Sequence, residues 1–218
     1  MKLDAFTKTY GGRRVLDMPA WELADGQITA VIGANGSGKS TLAKVLAGIE
    51  PSDRGKPVLP RCAVGYLPQK YCAFRMSVLH NLLLNGGDHA RAAQLMEALQ
   101  LTPLSRASAK KLSGGEGAKM ALCRLLMGHY ELLILDEPTA AMDMESTLAA
   151  EELIRACAKE TGCTVLLITH SIQQARRLAD RILFLDRGVP VEEGGTAELL
   201  TAPKHEKTKR FLEFYGLI

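Results

Sequence analysis

Residues 33–40 decide the fold of this chain, and their sequence is Gly33-Ala34-Asn35-Gly36-Ser37-Gly38-Lys39-Ser40. The pattern G-x-x-x-x-G-K-[ST] follows an apolar run that ends at Ile32 and precedes an apolar helical segment at 42–46. In such a loop, successive backbone N–H groups converge on a phosphate, and the following helix adds its positive dipole end. Glycine is needed where a side chain would block that approach. The stretch therefore predicts a phosphate-binding loop between a strand and a helix.

The last residues of this loop have side chains suited to a nucleoside triphosphate with its metal. Lys39 is expected to reach the β- and γ-phosphates, and the Ser40 hydroxyl is expected to ligate Mg²⁺. Thr41 is expected to cap the helix and pack beside the loop.

A second apolar run, at 132–135, ends in a pair of carboxylates. Asp136 and Glu137 would lie at the carboxyl end of a strand, where ligands of open α/β sheets bind. Asp136 is expected to hold Mg²⁺ through water. Glu137 is expected to orient and polarise an attacking water, a role worth about 10²- to 10⁴-fold in rate for general bases. An acidic pair could simply end a strand, but downstream of a phosphate-binding loop the catalytic interpretation is favoured.

Apolar runs bounded by Gly, Asp or Pro recur along the chain and predict buried parallel strands. They cover 27–32, 63–67, 132–135, 164–168 and 181–185. Segments with helical spacing, such as 145–160, separate several of these runs. The alternation predicts an α/β fold with a mostly parallel core sheet.

The middle and the start of the chain depart from this alternation. Three segments with helical patterns, at 77–84, 88–99 and 114–128, follow one another without a strand. We expect a single domain in which 71–127 form an inserted helical subdomain, and 1–70 with 128–218 form the core.

The two ends of the chain carry their own patterns. The start predicts antiparallel strands at 2–8 and 14–23, on either side of a Tyr10-Gly11-Gly12 turn. The tail at 203–218 predicts a helix. We expect that helix to bury Phe211, Leu212, Phe214 and Tyr215.

Composition and charge exclude several classes of protein. A formal charge of +3 is too small for a nucleic-acid surface, so no nucleic-acid partner is expected. The start carries charges and no apolar signal segment, and the apolar runs are far shorter than the ~20 residues needed to cross a bilayer. The cysteines have no CxxC pair, which favours a reducing cytosol. They are Cys62, Cys72, Cys123, Cys157 and Cys163.

Residues 112–116, Leu112-Ser113-Gly114-Gly115-Glu116, resemble the LSGGQ signature of ABC ATPases, with Glu116 where Gln is usual. The pattern has a physical reason, because it places Ser113 and Gly115 at a helix N-terminus as a second anion cradle. The resemblance implies a phosphate-loop NTPase fold with the N-terminal antiparallel strands and the helical insertion described above. It also implies that residues 33–41 bind ATP, and that Ser113, Gly114, Gly115 and Glu116 bind the ATP of a second copy in trans.

Other motifs of the family follow in the expected order and cover nearly the whole chain. Tyr10 resembles the aromatic residue that stacks on adenine, and the resemblance implies that Val15 borders the same ring. Gln69 resembles the glutamine that joins the metal and the attacking water to the membrane partner. Asp143 matches the aspartate of the dimer-contact loop, and His170 resembles the switch histidine that contacts the γ-phosphate. Each of these residues alone also suits a turn, a surface, a helix cap or a strand end.

A few positions depart from the usual family pattern. They are Lys119 in place of Arg, Ala140 and Ala141 in the loop after the acid pair, and Ser171 in place of Asp. They affect contacts at the dimer seam rather than groups needed for hydrolysis.

The resemblance implies an ATP-hydrolysing subunit of an ABC transporter, with ATP sandwiched in a homodimer or in a pair with a related ATPase subunit. It implies a cytoplasmic protein, peripheral on the cytoplasmic face of the membrane. A transmembrane permease would dock in the groove after Gln69, where Tyr71, Phe74 and Met76 are either exposed contacts or core of the helical subdomain.

An extracytoplasmic solute-binding protein would complete the transporter. The stretches 194–200 and 203–205 resemble importers of oxyanions such as tungstate, or of polar amino acids. The alternative is a soluble ABC ATPase of translation or DNA repair.

Overall fold

The structure, a computed structural model, describes residues 1–57 and 63–217. Its strands are β1 (Lys2–Leu3), β2 (Phe6–Tyr10), β3 (Arg13–Met18), β4 (Trp21–Glu22), β5 (Ile28–Ile32), β6 (Val64–Leu67), β7 (Leu132–Asp136), β8 (Thr164–Ile168), β9 (Arg181–Asp186) and β10 (Val189–Gly195). Its helices are α1 (Lys39–Leu46), α2 (Val78–Leu82), α3 (His89–Ala98), α4 (Gly114–Leu126), α5 (Met144–Thr161), α6 (Ile172–Leu178), α7 (Thr196–Thr201) and α8 (Glu206–Phe214). Cys62 lies outside the described residues.

The centre of the molecule is a six-stranded sheet with the order β10-β9-β5-β8-β7-β6. Strands β5 to β9 pair in parallel, and β10 joins the edge antiparallel to β9. The predicted α/β fold with a mostly parallel sheet is confirmed. Since parallel strands point the same way, the carboxyl ends of β5, β6, β7 and β8 meet at one edge.

The N-terminal strands are antiparallel, as predicted. Strand β2 pairs with β3, and β1 pairs with β4. Each predicted strand is broken in two, however, because the chain leaves the ladder at Asp4-Ala5 and at Pro19-Ala20. Proline has no N–H to donate to a ladder, which accounts for the break on that side.

Helices α2, α3 and α4 follow one another between β6 and β7. Alternate residues of β7 show how the layers are held together. Leu133 and Leu135 belong to the core shared with α3, α4 and α5, whereas Leu132 and Ile134 face the core shared with α1 and the N-terminal strands. The sheet is therefore buried on both faces, as expected for near-continuous apolar strands.

The tail forms α8, but it buries only part of the predicted set. Phe211 stacks on Phe184 with ring centroids 4.7 Å apart, and Leu212 is fully buried. Phe214 is 84% exposed and Tyr215 is 45% exposed, so their predicted burial is wrong. In an α-helix a residue two positions after Leu212 lies about 200° round the axis, on the opposite face.

Within residues 1–57 and 63–217, no helix combines the length and the apolar character needed to span a membrane.

Candidate functional site

The loop at 33–38 connects β5 to α1, and its first and last residues are closely packed. A side chain at Gly33 would collide with the carbonyl oxygen of Leu185 in β9. At Gly38 a Cβ would lie 2.8 Å from the carbonyl oxygen of Val15, and φ there is 103°. Both positions therefore require glycine, through close packing and a positive φ.

Lys39 is the first residue of α1, and its side chain folds back over the loop. Its Nζ donates hydrogen bonds to the carbonyl oxygens of Gly33 (2.8 Å) and Ala34 (3.0 Å). Burial lowers the pKa of this lysine, and the nearby carboxylates of Glu137 and Asp136 oppose that shift. Backbone carbonyl oxygens thus hold the ammonium inside the loop, and no carboxylate of residues 1–57 or 63–217 forms a salt bridge with it.

The side-chain oxygens of Ser40 and Asp136 lie close together. The Ser40 hydroxyl donates to Asp136 Oδ1 at 3.1 Å, across the gap between α1 and β7. Burial raises the pKa of Asp136, and the Ser40 hydrogen bond opposes this rise. Tyr66 on β6 lies beside the same carboxylate, and burial followed by the charge of Asp136 raises its pKa to about 12. Sequence analysis missed Tyr66, because only the register of β6 on β7 brings it to this position.

Glu137 follows β7, His170 follows the neighbouring strand β8, and a hydrogen bond joins the two residues. Glu137 Oε1 accepts from the His170 backbone N–H at 2.8 Å and lies 2.8 Å from His170 Nδ1. The Glu137 N–H donates to the carbonyl oxygen of Ile168 at 2.9 Å. Glu137 also has φ of 54°, a left-handed conformation that strains a non-glycine residue by about 1–2 kcal/mol. The contact with Ile168 of β8 holds the Glu137 backbone, and the contact with His170 just after β8 holds its carboxylate.

The loop and the strand ends enclose a cavity of about 530 Å³. Its lining residues are Val15, Asn35, Gly36, Gly38, Lys39, Ser40, Thr41, Gln69, Glu137 and Ile168. Gln69 is exposed and follows β6. Tyr10 is not part of this lining, since its hydroxyl bonds to Glu50 and its ring lies 5.2 Å from the Lys8 ammonium.

The predicted signature turn begins α4. Ser113 caps the helix, and its side chain and that of Glu116 form a reciprocal capping box. Ser113 and Gly114 are exposed. Gly115 lies against the loop after β7, where a Cβ would stand 2.9 Å from the carbonyl oxygen of Ala141. Among the described residues, the lining of the phosphate-loop cavity includes no residue of 113–116.

The segment after Gln69 contacts the signature helix directly. Tyr71 is half-buried, and its hydroxyl donates to the carbonyl oxygen of Gly114 at 2.8 Å. Phe74 is 46% exposed, and the Arg124 guanidinium lies 5.1 Å from its ring centre. Met76 is half-buried. Tyr71 thus joins the segment after Gln69 to α4. Of the three residues proposed as permease contacts, Phe74 is the one exposed to solvent.

Asp143 ends the loop after β7 and caps α5. Its Oδ1 accepts from the Ser146 N–H at 2.8 Å, and this backbone hydrogen bond lowers the pKa of Asp143. The carboxylate is exposed and ionised at the start of the helix, where the dipole favours negative charge.

A buried polar network behind the site also escaped sequence analysis. The Gln174 amide donates to Thr139 Oγ1 at 2.8 Å and to Glu151 at 3.3 Å. Arg177 then donates two hydrogen bonds to the Glu151 carboxylate. These residues tie the loop after β7 to α5 and α6. The bonded residues lie far apart along the chain, so no sequence pattern could have revealed these contacts.

Comparisons with known proteins agree with this geometry. Residues 16–140 match the family described as "ABC transporter". The aliphatic sulfonates import ATP-binding protein SsuB 1 of Streptomyces avermitilis is 35% identical over 217 residues, covering 98% of this chain and 82% of that protein. The chain belongs to the ABC transporter family. This ABC subunit is an ATP-binding protein and an ATP hydrolase.

Two further relatives of this ABC protein are informative. The tungstate uptake system ATP-binding protein TupC of Peptoclostridium acidaminophilum is 37% identical, over 86% of this chain and 95% of that protein. In the solved complex of the archaeal ribosomal stalk protein aP1 and the archaeal ribosome recycling factor aABCE1, a chain superposes with a TM-score of 0.84 at 26% identity. That match covers 99% of this chain and 42% of the other.

Proposed function

We propose that this ABC ATPase powers the import of a solute through a permease formed by other chains. The observation that carries the catalytic part is the convergence of Lys39, Ser40, Asp136, Glu137 and His170 at one edge of the sheet, around an open cavity. Import is supported by the names of the two relatives, which describe a sulfonate import system and a tungstate uptake system.

ATP would bind with its phosphates in the loop of residues 33–41. Lys39 would exchange the carbonyl oxygens of Gly33 and Ala34 for phosphate oxygens, gaining a charged partner for its buried ammonium. Val15 lines the same cavity and would border the adenine. Tyr10 would stack on the adenine after its hydroxyl leaves Glu50.

The donor set at this site fits Mg²⁺. Ser40 and Asp136 place a hydroxyl and a carboxylate oxygen 3.1 Å apart, and the Gln69 side chain reaches the same cavity. Hard divalent cations prefer such oxygen ligands. When bound, Mg²⁺ would neutralise the charge of the β- and γ-phosphates. We assign Ser40, Asp136 and Gln69 to hold it.

Glu137 is the proposed general base. Its carboxylate would accept a proton from the attacking water, while the His170 backbone N–H keeps Oε1 at its position. The His170 side chain is 59% exposed and would contact the γ-phosphate. Gln69 would orient the water from the end of β6, which lies on the other side of β7 from β8 and His170.

The ATP site is proposed to be completed by a second copy, or by a related ATPase subunit. Residues 113–116 carry an exposed helix N-terminus that does not line the cavity of the same chain. Such an end binds anions through backbone N–H groups, so it can receive the γ-phosphate bound by a partner. Exposed Asp143 would contact the partner at the same seam.

The permease would dock beside Gln69. A groove of about 330 Å³ lies there, lined in part by Tyr71, Cys72 and Arg124. We propose that residues 71–127 move as a helical subdomain with the permease. The protein would lie on the cytoplasmic face of the membrane, and a solute-binding protein on the opposite side would deliver the cargo.

The first experiment tests the ATP sandwich. Glu137→Gln should bind ATP, hydrolyse it at least about 100-fold more slowly, and accumulate as a dimer with ATP but not with ADP. Light scattering after gel filtration measures the dimer. Glu131→Gln, an exposed acid just before the same strand, should keep normal turnover. A Glu137→Gln protein that turns over normally, or stays monomeric with ATP, would contradict the proposal.

A second experiment separates transport from the ribosomal alternative, which the likeness to a ribosome recycling factor keeps open. The tagged protein is purified from its own cells in mild detergent, and its companions are identified by mass spectrometry. A permease should accompany it. Recovery of ribosomes without a membrane protein would instead favour a role in translation.

A further inference from the structure

Glu116 occupies the hydrogen-bonding groups that the signature turn would offer to a phosphate. Its Oε2 accepts from the Ser113 backbone N–H at 2.8 Å and from the Ser113 hydroxyl at 2.8 Å. The Ser113 oxygen in turn accepts from the Glu116 N–H at 3.3 Å. A serine hydroxyl has a single proton, so Ser113 cannot donate it to another anion while this contact persists.

The charge of Glu116 acts in the same direction. The N-terminus of α4 carries the partial positive charge that would attract an anion, and a carboxylate in its first turn offsets that charge. The contact with Ser113 lowers the pKa of Glu116, so the side chain is ionised at neutral pH. An incoming γ-phosphate would meet a negative charge where a neutral glutamine is usual in the family.

We propose that Glu116 is a positioning residue that restrains ATP-driven joining of the two copies, because its carboxylate must release Ser113 before Ser113 can donate to the γ-phosphate held by the partner. This inference rests on the proposed function, in which residues 113–116 complete the ATP site in trans. The contact between Glu116 and Ser113, made within the free subunit, would raise the ATP concentration needed for two copies to join.

Lys119 would receive the released carboxylate. It lies three residues after Glu116 on α4, and side chains at that spacing are neighbours on a helix surface. Its positive charge already acts on Glu116. Glu116 therefore has two partners within reach, Ser113 in the free subunit and Lys119 after closure.

The variant Glu116→Gln separates charge from capping. A glutamine oxygen can accept from the Ser113 N–H as the carboxylate does, so the capping box and the fold are kept. The negative charge is removed, and a neutral amide holds the Ser113 hydroxyl less strongly than a carboxylate. Glu116→Ala removes both the charge and the cap.

The test measures the ATP concentration that gives half-maximal dimer, by light scattering in the Glu137→Gln background. Glu116→Gln should lower that concentration about tenfold, as expected for removing a like charge near the phosphate. The melting temperature of its monomer should stay unchanged. Glu116→Ala should also dimerise at a lower ATP concentration, although its monomer should have a lower melting temperature.

The control is Glu206→Gln. It removes an acid in the first turn of α8 that also has a lysine three residues later, and it should leave the ATP midpoint unchanged.

Three results would overturn this inference. If dimers form with ATP but Glu116→Gln has the midpoint of the parent protein, the restraint does not exist, while the proposed sandwich stands. If neither protein dimerises with ATP, the proposed function fails, and the inference fails with it. A Glu116→Ala midpoint that rises while Glu116→Gln is unchanged would assign Glu116 to capping alone.

Discussion

At the scale of single residues, the surroundings of Lys39 suit the phosphate-binding role proposed for it. Its ammonium is buried against two backbone carbonyls, which satisfy it without the charge of an anion. A triphosphate offers stronger, charge-assisted bonds, so exchange is favoured once the ligand arrives. Capture therefore needs only local movement of one side chain.

Lys39→Ala should accordingly weaken ATP binding by about 100-fold, since two hydrogen bonds to a charged group are lost. Isothermal titration calorimetry measures the affinity. The control is Lys44→Ala on the same helix, whose side chain is 44% exposed and which should bind ATP normally. Unchanged affinity in Lys39→Ala would contradict the proposed role of the loop.

Glu137 shows a residue property that its identity did not reveal. The sequence predicted a base after β7, but not that its backbone would adopt a φ of 54°. That conformation is accompanied by contacts with the carbonyl oxygen of Ile168 at the end of β8 and with the N–H of His170 just after β8. Contacts from the neighbouring strand thus stabilise a left-handed backbone conformation that a glutamate rarely adopts by itself.

At the scale of elements, the junction of α5 with β8 depends on one glycine. Gly162 ends the helix at φ 69°, and its N–H donates to the carbonyl oxygen of Ala158 at 2.9 Å. Open space surrounds the position of a Cβ there, so a substitution would meet only conformational strain. Such a left-handed helix end is where glycine is preferred.

Gly162→Ala should therefore lower the free energy of unfolding by about 1 kcal/mol, from the left-handed conformation alone. Urea denaturation measures it, and ATP hydrolysis should be unaffected. Gly87→Ala is the matched control, because Gly87 is equally open but is not held at a positive φ, and its stability should hardly change. Equal effects at the two positions would contradict this account of the helix end.

At the scale of the whole molecule, the Glu151 network couples parts of the chain that are distant in sequence. Glu151 is 5% exposed on α5 and binds Gln174 and Arg177 of α6. Gln174 continues to Thr139, just after the proposed base. Packing of two helices is thereby linked to the position of the loop that carries the proposed base.

Glu151→Ala should lower the free energy of unfolding by about 2 kcal/mol, because the buried Gln174 amide loses an acceptor. Arg177 is partly exposed, so water can replace its lost partner. Chemical denaturation measures the change. Glu152→Ala removes the adjacent, exposed acid and should be nearly neutral. If Glu151→Ala and Glu152→Ala have the same free energy of unfolding, the network does not stabilise the protein.

The sequence by itself determined the fold class and the positions of the loop, the acid pair and the signature turn. These features are local, because apolar runs mark buried strands and short motifs carry their own backbone geometry. The same local patterns placed α2, α3 and α4 between β6 and β7. They failed at Phe214, since composition alone does not say which side of a helix meets the core.

Only the tertiary structure decided how these local pieces meet. The pairing of β7 with β8 joins Glu137 to His170, and the turn at Gly188 donates its N–H to Ser37 in the phosphate loop at 2.8 Å. Such contacts depend on strand register and side-chain direction in three dimensions, which a linear pattern does not specify.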